Sequence, residues 1–231
     1  MFCKVTLSLV FLKNCSNINF RYYFYVLKGI FLSKTSIPTR ERLLDAAESL
    51  IIERGFAGAS VDRIIRRTGV TKGSFFHHFA SKAELAEAVL IRFAAKDMAL
   101  LDDITTKAAR LSDDPTQRLL LTIGLFAEIL DQLDADAPMC MFAAYTFQRM
   151  EYPEGAARIT QDAIESFRAK LRPLYQAAVA QSNAEVAVDD LIDHLIIVFE
   201  GAFVLLTIDG DAALPGRHLR LHRDMLAKML V

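Results

Sequence analysis

Cysteine is scarce in this chain and carries no pattern. Cys3, Cys15 and Cys140 are odd in number and widely spaced, with no Cys-x-x-Cys pair and no Cys/His ligand spacing. That argues against a disulfide scaffold and a structural zinc site, and it suits a reducing cytoplasm. Internal repeats and Gly-, Ser- or Pro-rich linkers are also missing. No segment alternates at period two with turn residues after it, so essentially no sheet is expected. No Ser/His/Asp or Cys/His arrangement, HExxH pair or glycine-rich phosphate loop is present, which leaves an enzyme or carrier as the weaker alternative. Catalytic residues, metal ligands and cofactors are accordingly not expected. What the 231 residues do hold is 53% hydrophobic and 24% charged side chains, enough to bury a sizeable core.

Net charge is nearly lacking too, at −1 from 27 basic and 28 acidic side chains. The average hides a gradient. Residues 1–36 carry five basic side chains and no acid, residues 37–82 carry eight basic and five acidic, and residues 83–231 carry 14 basic and 23 acidic. The three parts stand at +5, +3 and −9, an asymmetry that points to an anionic partner near the N-terminal end.

Residues 1–36 contain no alanine and are crowded with Phe, Tyr, Asn, Lys and Ile, whereas Ala, Arg and Asp dominate from residue 37. The longest uncharged run in the segment is Val5–Leu12, shorter than the roughly 18 residues a membrane span needs. Leu12-Lys13-Asn14-Cys15 offers no small-residue cleavage site for a secretory signal. The reading adopted is translation from an upstream start, because the segment uses AT-rich codons and the body GC-rich ones. A membrane tether through residues 5–32, or a basic arm on DNA or a membrane surface, are the alternatives.

From residue 37 the pattern is helical. Ser36 or Thr39 can cap, Pro38 suits a first turn, and Leu43, Leu44, Ala46, Ala47, Leu50 and Ile51 recur on one face until Gly55 stops the helix. Phe56 is expected to plug the junction that follows. Ser60 caps a second helix in which Val61, Ile64 and Ile65 face inward and Arg63, Arg66 and Arg67 outward. After Thr68-Gly69-Val70, Thr71 caps a third helix over Lys72–His78, and Ser81-Lys82-Ala83-Glu84 is a capping box opening a fourth. Short helices with a glycine-containing turn between the second and third make a helix-turn-helix, whose second member enters the major groove.

The runs Thr39–Ala47, Glu53–Phe56, Ser60–Ile64 and Gly69–Leu85 resemble the DNA-binding domain of the tetracycline-repressor (TetR) family of bacterial transcription regulators. The resemblance implies an all-α protein. Residues 1–36 are an atypical extension, 37–83 a helix-turn-helix domain, and 84–231 a helical ligand-binding and dimerisation domain. It also implies DNA contacts at Ser60, Thr71, Lys72, Gly73, Phe76, His77 and Lys82, to which Ser74 is added as part of the recognition-helix N-terminus, where exposed amides attract phosphate. Phe76 departs from the tyrosine usual there and has no hydroxyl to offer a phosphate. Phe75 and Phe79 are expected in the core, and His78 packed and hydrogen-bonded beside Phe79.

The remainder reads as helices over 81–111, 116–133, 139–150, 155–182, 187–208 and 212–230, the last interrupted at Pro215-Gly216. The last two are apolar nearly all round, which requires cover on several sides; in the family they pair with their symmetry mates. A homodimer on a palindromic operator also follows from the short reach of one recognition helix. The expected small-molecule effector, apolar or aromatic, would meet Phe126, Met139, Cys140, Tyr145, Gln148 and His194, with Glu200 a further polar handle. The chain is thus expected to be a cytoplasmic, ligand-responsive repressor.

Overall fold

The computed structural model describes residues 37–133, 140–148, 150 and 152–230; the readings of residues 1–36 and of Met139 fall outside that set. Among the described residues the secondary structure is helical throughout, with no strand. The helices are α1 (Thr39–Gly58), α2 (Val61–Thr68), α3 (Lys72–His78), α4 (Lys82–Leu111), α5 (Pro115–Leu130), α6 (Met141–Phe147), α7 (Gly155–Ala180), α8 (Val188–Asp209) and α9 (Leu214–Met229). All lie in one compact unit that begins at Pro38.

The apolar face of α1 is buried at Leu43, Leu44, Ala46, Ala47, Leu50 and Ile51, as its periodicity requires. At Gly55 the backbone leaves helical geometry (φ 72°, ψ 171°), and the chain adds a last turn to Gly58. The expected stop is therefore at the expected residue. Leu43, Ile64, Phe75, Phe79, Leu85 and Leu90 close a core among α1 to α4. Full burial of such side chains is worth about 1.5–3 kcal/mol each relative to exposure. This core does not end at the start of α4, for Met141, Phe142, Tyr152 and Ala156 belong to it. A second core, around Leu101, Leu119, Ile123, Tyr175, Leu195, Phe203 and Leu219, joins α4, α5, α7, α8 and α9.

At 30 residues α4 is a rod of about 45 Å that runs through both cores. Two helices differ from expectation. α6 is seven residues long, without a side-chain cap at Cys140, and ends at Gln148. α9 begins at Leu214, so Pro215 sits in its first turn, where a missing N–H costs nothing, and no interruption results.

Candidate functional site

The outward face of the helix-turn-helix is built by three side-chain caps. Ser60 Oγ accepts from the Arg63 N–H (3.4 Å), Thr71 Oγ1 from Ser74 (3.1 Å) and Ser81 Oγ from Glu84 (3.1 Å). Glu84 closes its capping box on Ala80 rather than on Ser81, its carboxylate accepting from the Ala80 N–H at 2.6 Å. Gly69, in the left-handed region at φ 70°, turns the chain from α2 into α3. These caps are what allow an element of seven residues to stand, since a helix that short is not stable alone.

On α3, Phe75 is fully buried and Phe79 nearly so, which leaves Thr71, Lys72, Gly73, Phe76 and His77 exposed and Ser74 and His78 half-buried. Phe76 is 47% exposed, its ring edge against Phe75 at 5.1 Å, so it belongs to the surface rather than the core. Lys72 makes no hydrogen bond or ion pair among the described residues. A Cβ added at Gly73 would meet only Thr71 Oγ1, at 4.0 Å. Glycine inside a helix costs about 1 kcal/mol relative to alanine. Nothing in the chain's own packing asks for it here. His78 touches the His77 ring edge-on at 5.2 Å and makes no hydrogen bond among the described residues, contrary to expectation.

Two of the three exposed arginines of α2 are engaged by the chain itself. Arg67 grips both oxygens of Glu53 (2.7 and 2.9 Å) and also Ser49, and Arg63 bonds the Gly58 carbonyl at 2.6 Å. Lys82 is likewise engaged: its ammonium donates to the Phe56 carbonyl and lies 3.8 Å from the centre of the Phe56 ring. The other face of that contact belongs to the helical body. Tyr152 stacks on Phe56 (4.7 Å, 27°), and Gln148 Oε1 accepts from the Phe56 N–H at 3.1 Å. A Cβ at Gly55 would collide with the Gln148 carboxamide, so Gly55 serves both its own backbone and this joint. Gln148 and, through Tyr152, Tyr145 thus meet at the end of α1, Tyr145 touching the Tyr152 ring edge-on at 5.3 Å. Phe56 does plug the junction.

A second joint links α1 to α4. Glu48, 2% exposed, accepts from Arg92 at 2.5 Å and from Lys96 at 3.0 Å, while Arg92 also reaches Asp45 (2.8 Å) and Glu41 (3.2 Å). Glu48 was not singled out from the sequence, where it reads as one more acid on a mixed helix.

Of the expected effector residues, Cys140 meets an unexpected partner set. Its thiol hydrogen-bonds with Glu200 of α8 and feels the charge of Asp97 of α4; burial and these two carboxyl groups hold it well above the usual thiol range. It is a poor nucleophile there. Burial pushes the Asp97 carboxyl up to about 8, with Glu200 and Glu48 adding to the shift and Lys96 opposing it. Burial raises the Glu200 carboxyl as well, against its bond to Cys140. Asp97 also escaped the sequence reading, although the signal was present: Leu90, Phe93, Asp97, Leu101, Ile104 and Ala108 recur on one stripe of α4, with one carboxylate among apolar residues. Around these groups Phe93 meets Phe142 edge-on at 5.2 Å, and Phe126 stacks on Phe199 at 5.2 Å.

His194 lies elsewhere. It is exposed on α8, its Nδ1 3.1 Å from Nδ1 of the buried His222 on α9. Burial, with His194 adding, lowers the His222 ring to about 4, so that ring is neutral near pH 7. His194 stands in a row with Ile197, Gly201, Leu205 and Ile208, all exposed, and α9 adds exposed Leu221, Met225 and Met229. At Gly201 a Cβ would meet nothing within 4 Å, so this face is open at its middle. By length and composition alone α8 could cross a membrane, but its other face, with Leu191, Ile192, Leu195, Phe203 and Leu206, is in the second core.

The sequence profile described as "Bacterial regulatory proteins, tetR family" matches residues 43–89. The HTH-type transcriptional repressor DhaR of Mycobacterium sp. (strain GP1) is 25% identical over 179 residues, 75% of this chain and 85% of that protein. The HTH-type transcriptional regulator SrpR of Pseudomonas putida is 42% identical over 52 residues, 22% of this chain and 24% of that one. Among solved structures, a TetR-family regulator from Agrobacterium tumefaciens superposes with a TM-score of 0.67 at 22% identity, covering 82% of this chain and 96% of that one.

Proposed function

Because the chain belongs to the tetR family of bacterial regulatory proteins, we propose that its operator-binding surface is the face bearing Ser60, Thr71, Lys72, Gly73, Ser74, Phe76 and His77. The chain is a DNA-binding transcriptional regulator that responds to a ligand, not an enzyme. Regulators of this family bind operator DNA and small-molecule effectors, usually as dimers. The finer reading is a cytoplasmic homodimeric repressor on a palindromic operator, released by a small molecule held in the helical body.

Gly73 carries this reading: an exposed helical glycine with no internal reason lets the backbone approach DNA closely, beside an unpaired Lys72. Phe76 offers an apolar face for a sugar or a thymine methyl. Lys82 contributes first by holding α4 to the end of α1, and its charge is shared with the Phe56 carbonyl. The row of Ile197, Leu205, Ile208, Leu221 and Met225 supports pairing of α8 and α9 with a second copy, which would set the distance between two recognition helices.

Release follows if an effector binds one arrangement of head and body better than the other. Beside the apolar core it shares with Met141, Phe142 and Ala156, the head has two specific grips on the rest: Glu48 on Arg92 and Lys96 of α4, and Phe56 on Gln148 and Tyr152 of the body. A ligand that moves one grip relative to the other turns α1, and α2 and α3 with it. The test is a mobility shift on the DNA flanking the gene. A specific shift at low micromolar dimer is expected, and Lys72→Ala should weaken binding across sequences while lowering the salt slope by about 0.9. No specific shift, or a salt slope that Lys72→Ala leaves unchanged, refutes the assignment.

A further inference from the structure

Most of the exposed apolar bulk among the described residues lies on two helices. Ile197, Leu205, Ile208, Leu221, Met225 and Met229 are six of the ten large exposed hydrophobics, and all six are on α8 and α9. The row 194, 197, 201, 205 and 208 of α8 contains no Asp, Glu, Lys or Arg. At Gly201 a Cβ would meet nothing within 4 Å, so a second backbone can approach there. One titratable group stands in that row. His194 is exposed, and its Nδ1 lies 3.1 Å from Nδ1 of His222, which is 2% exposed. His222 has no second partner, for its Nε2 is buried without a hydrogen bond among the described residues.

A neutral imidazole carries one N–H, so in this contact one ring donates and the other accepts. A proton added to the pair can be solvated only on His194, because burial, with His194 adding, keeps the His222 ring neutral. Other charges on the helices packed here are committed. Arg168 and Arg172 of α7 bond Asp193 and Asp189, with Glu165 beside both arginines. Between α9 and α5, Arg220 grips Asp131 and feels Glu128, and on α9 itself Arg223 closes on Asp224. Two groups remain within a turn of the pair. Asp190, one turn before His194, is exposed and favours a proton on that ring in the separate chain. His218, one turn before His222, is half-buried.

We propose that the His194–His222 pair makes the pairing of two copies of this chain acid-sensitive, permitting it while both rings are neutral and opposing it once His194 takes up a proton. This rests on the pairing of α8 and α9 with a second copy read above, and it adds a condition under which that pairing fails. In the separate chain a charge on His194 is in water. In the dimer the same charge lies under the partner's apolar row, and the two-fold axis brings a second, identical charge to the same seam. The neutral pair meets no such cost, since each ring is hydrogen-bonded to the other. The separate chains therefore bind more protons than the dimer. Pairing weakens as pH falls through the range in which an exposed imidazole titrates, roughly pH 8 to 5. With one proton given up by each chain, the dissociation constant rises by up to about 100-fold per pH unit. Operator binding uses both recognition helices, so acid releases DNA without an effector.

Equilibrium sedimentation of the full chain at pH 8 and pH 5.5, without DNA, reads the dissociation constant of the dimer. It should be at least about tenfold larger at pH 5.5. For His194→Gln, neutral at every pH, the ratio of the two constants should fall to about one. For His218→Gln the ratio should stay as in the wild type. Gly201→Arg occupies space that is open in the single chain, so the chain folds, but it sets a long cation in the middle of the seam; it should be monomeric at both pH values. A wild-type chain that is monomeric at both pH values refutes the pairing itself and this proposal with it. A dimer equally tight at both refutes the acid sensitivity alone. So does a His194→Gln variant as acid-sensitive as the wild type, or a loss of that sensitivity in His218→Gln. A Gly201→Arg variant that still dimerises puts the seam elsewhere and overturns the proposal too. Because no operator is present, a failed mobility shift leaves each of these results standing.

Discussion

The head and the body of this protein are held by different means. Each of the helices α2, α3 and α4 starts on a hydroxyl that accepts a backbone N–H, from Ser60, Thr71 and Ser81. In the body only α5 starts on a side-chain acceptor, the Asp114 carboxylate; α6, α7, α8 and α9 have no side-chain cap bond, and neither has α1 in the head. Length alone does not make the division, for α6 has seven residues without such a bond and α4 has thirty with one; what sets α2 and α3 apart is that they are both short and on the outer face of the head. A helix of seven or eight residues cannot repay its nucleation from its own ladder, so each terminal amide counts. Helices of 16 to 26 residues such as α7, α8 and α9 draw on long apolar faces instead. The difference has a functional side, since a head built from local bonds keeps its shape while the body beneath it rearranges.

The sharpest way to break that independence is to cut the grip between the two. Replacing Arg92 with leucine strands Glu48, which is 2% exposed, with Lys96 alone. Loss of one partner from a buried ion pair costs about 3–5 kcal/mol. At about 2–4 °C per kcal/mol for a chain of this size, the midpoint of thermal unfolding should drop by roughly 6–20 °C. A fall of less than a degree or two would mean that Glu48 is not an anchor and that head and body are coupled through Phe56 and the shared apolar core.

The next effect belongs to the body and depends on pH. Asp97 titrates near 3.8 when unfolded and about 8 in the native chain. Between those values the folded state keeps a proton that the unfolded state has lost, so stability falls as pH rises, by at most about 1.4 kcal/mol per unit, and levels off above the native value. Asp97→Asn removes this dependence. Thermal melts should coincide for variant and wild type near pH 4 and separate as pH rises, with the variant the more stable at pH 9. Parallel curves across that range would show that Asp97 is solvated rather than enclosed.

What could be read from the sequence follows the same division. Caps are single residues at fixed spacing, and so the ends of α2 and α3 came out where Ser60, Gly69 and Thr71 place them. The body offers no such marks. α5 ends at Leu130 rather than near 133, and α6 occupies 141–147 rather than 139–150. Direction of facing was harder still. On α8, apolar nearly all round, no period tells the inner face from the outer, and the sequence reads His194 as a pocket residue although it stands on the open row with Ile197. Gln148 reads as a polar handle for an effector, and the bond it makes among the described residues is to the Phe56 N–H. Asp97 and Glu48 carry no mark in the sequence, because a carboxylate on a helix is usually solvated, and for Glu48 only the packing of α4 against α1 shows otherwise.

The smallest effects are those that weigh the caps directly. Thr71→Ala deletes the cap of α3 and should cost up to about 2 kcal/mol, the upper end for a cap, because the whole seven-residue element depends on it. Operator affinity should fall with it, since Lys72 and Gly73 lie in the same first turn. The converse change can be made in the body. Ala187, exposed and extended at φ −72° and ψ 127°, precedes α8, and Asp190 stands three residues on, where a capping box has its acid. Ala187→Ser therefore completes a cap whose geometry already exists. The gain should be near the lower end, about 0.5 kcal/mol or 1–2 °C, because the first turn of α8 is already held by Leu191 and Ile192 in the second core. Calorimetric melts of the two single variants and the double variant decide the matter. Both sites are exposed and cap helices that pack into different cores, so their effects should add. If Ala187→Ser raises the midpoint by as much as Thr71→Ala lowers it, short and long helices depend on their caps alike. The head would then owe its independence to the Glu48–Arg92 joint rather than to its local bonds.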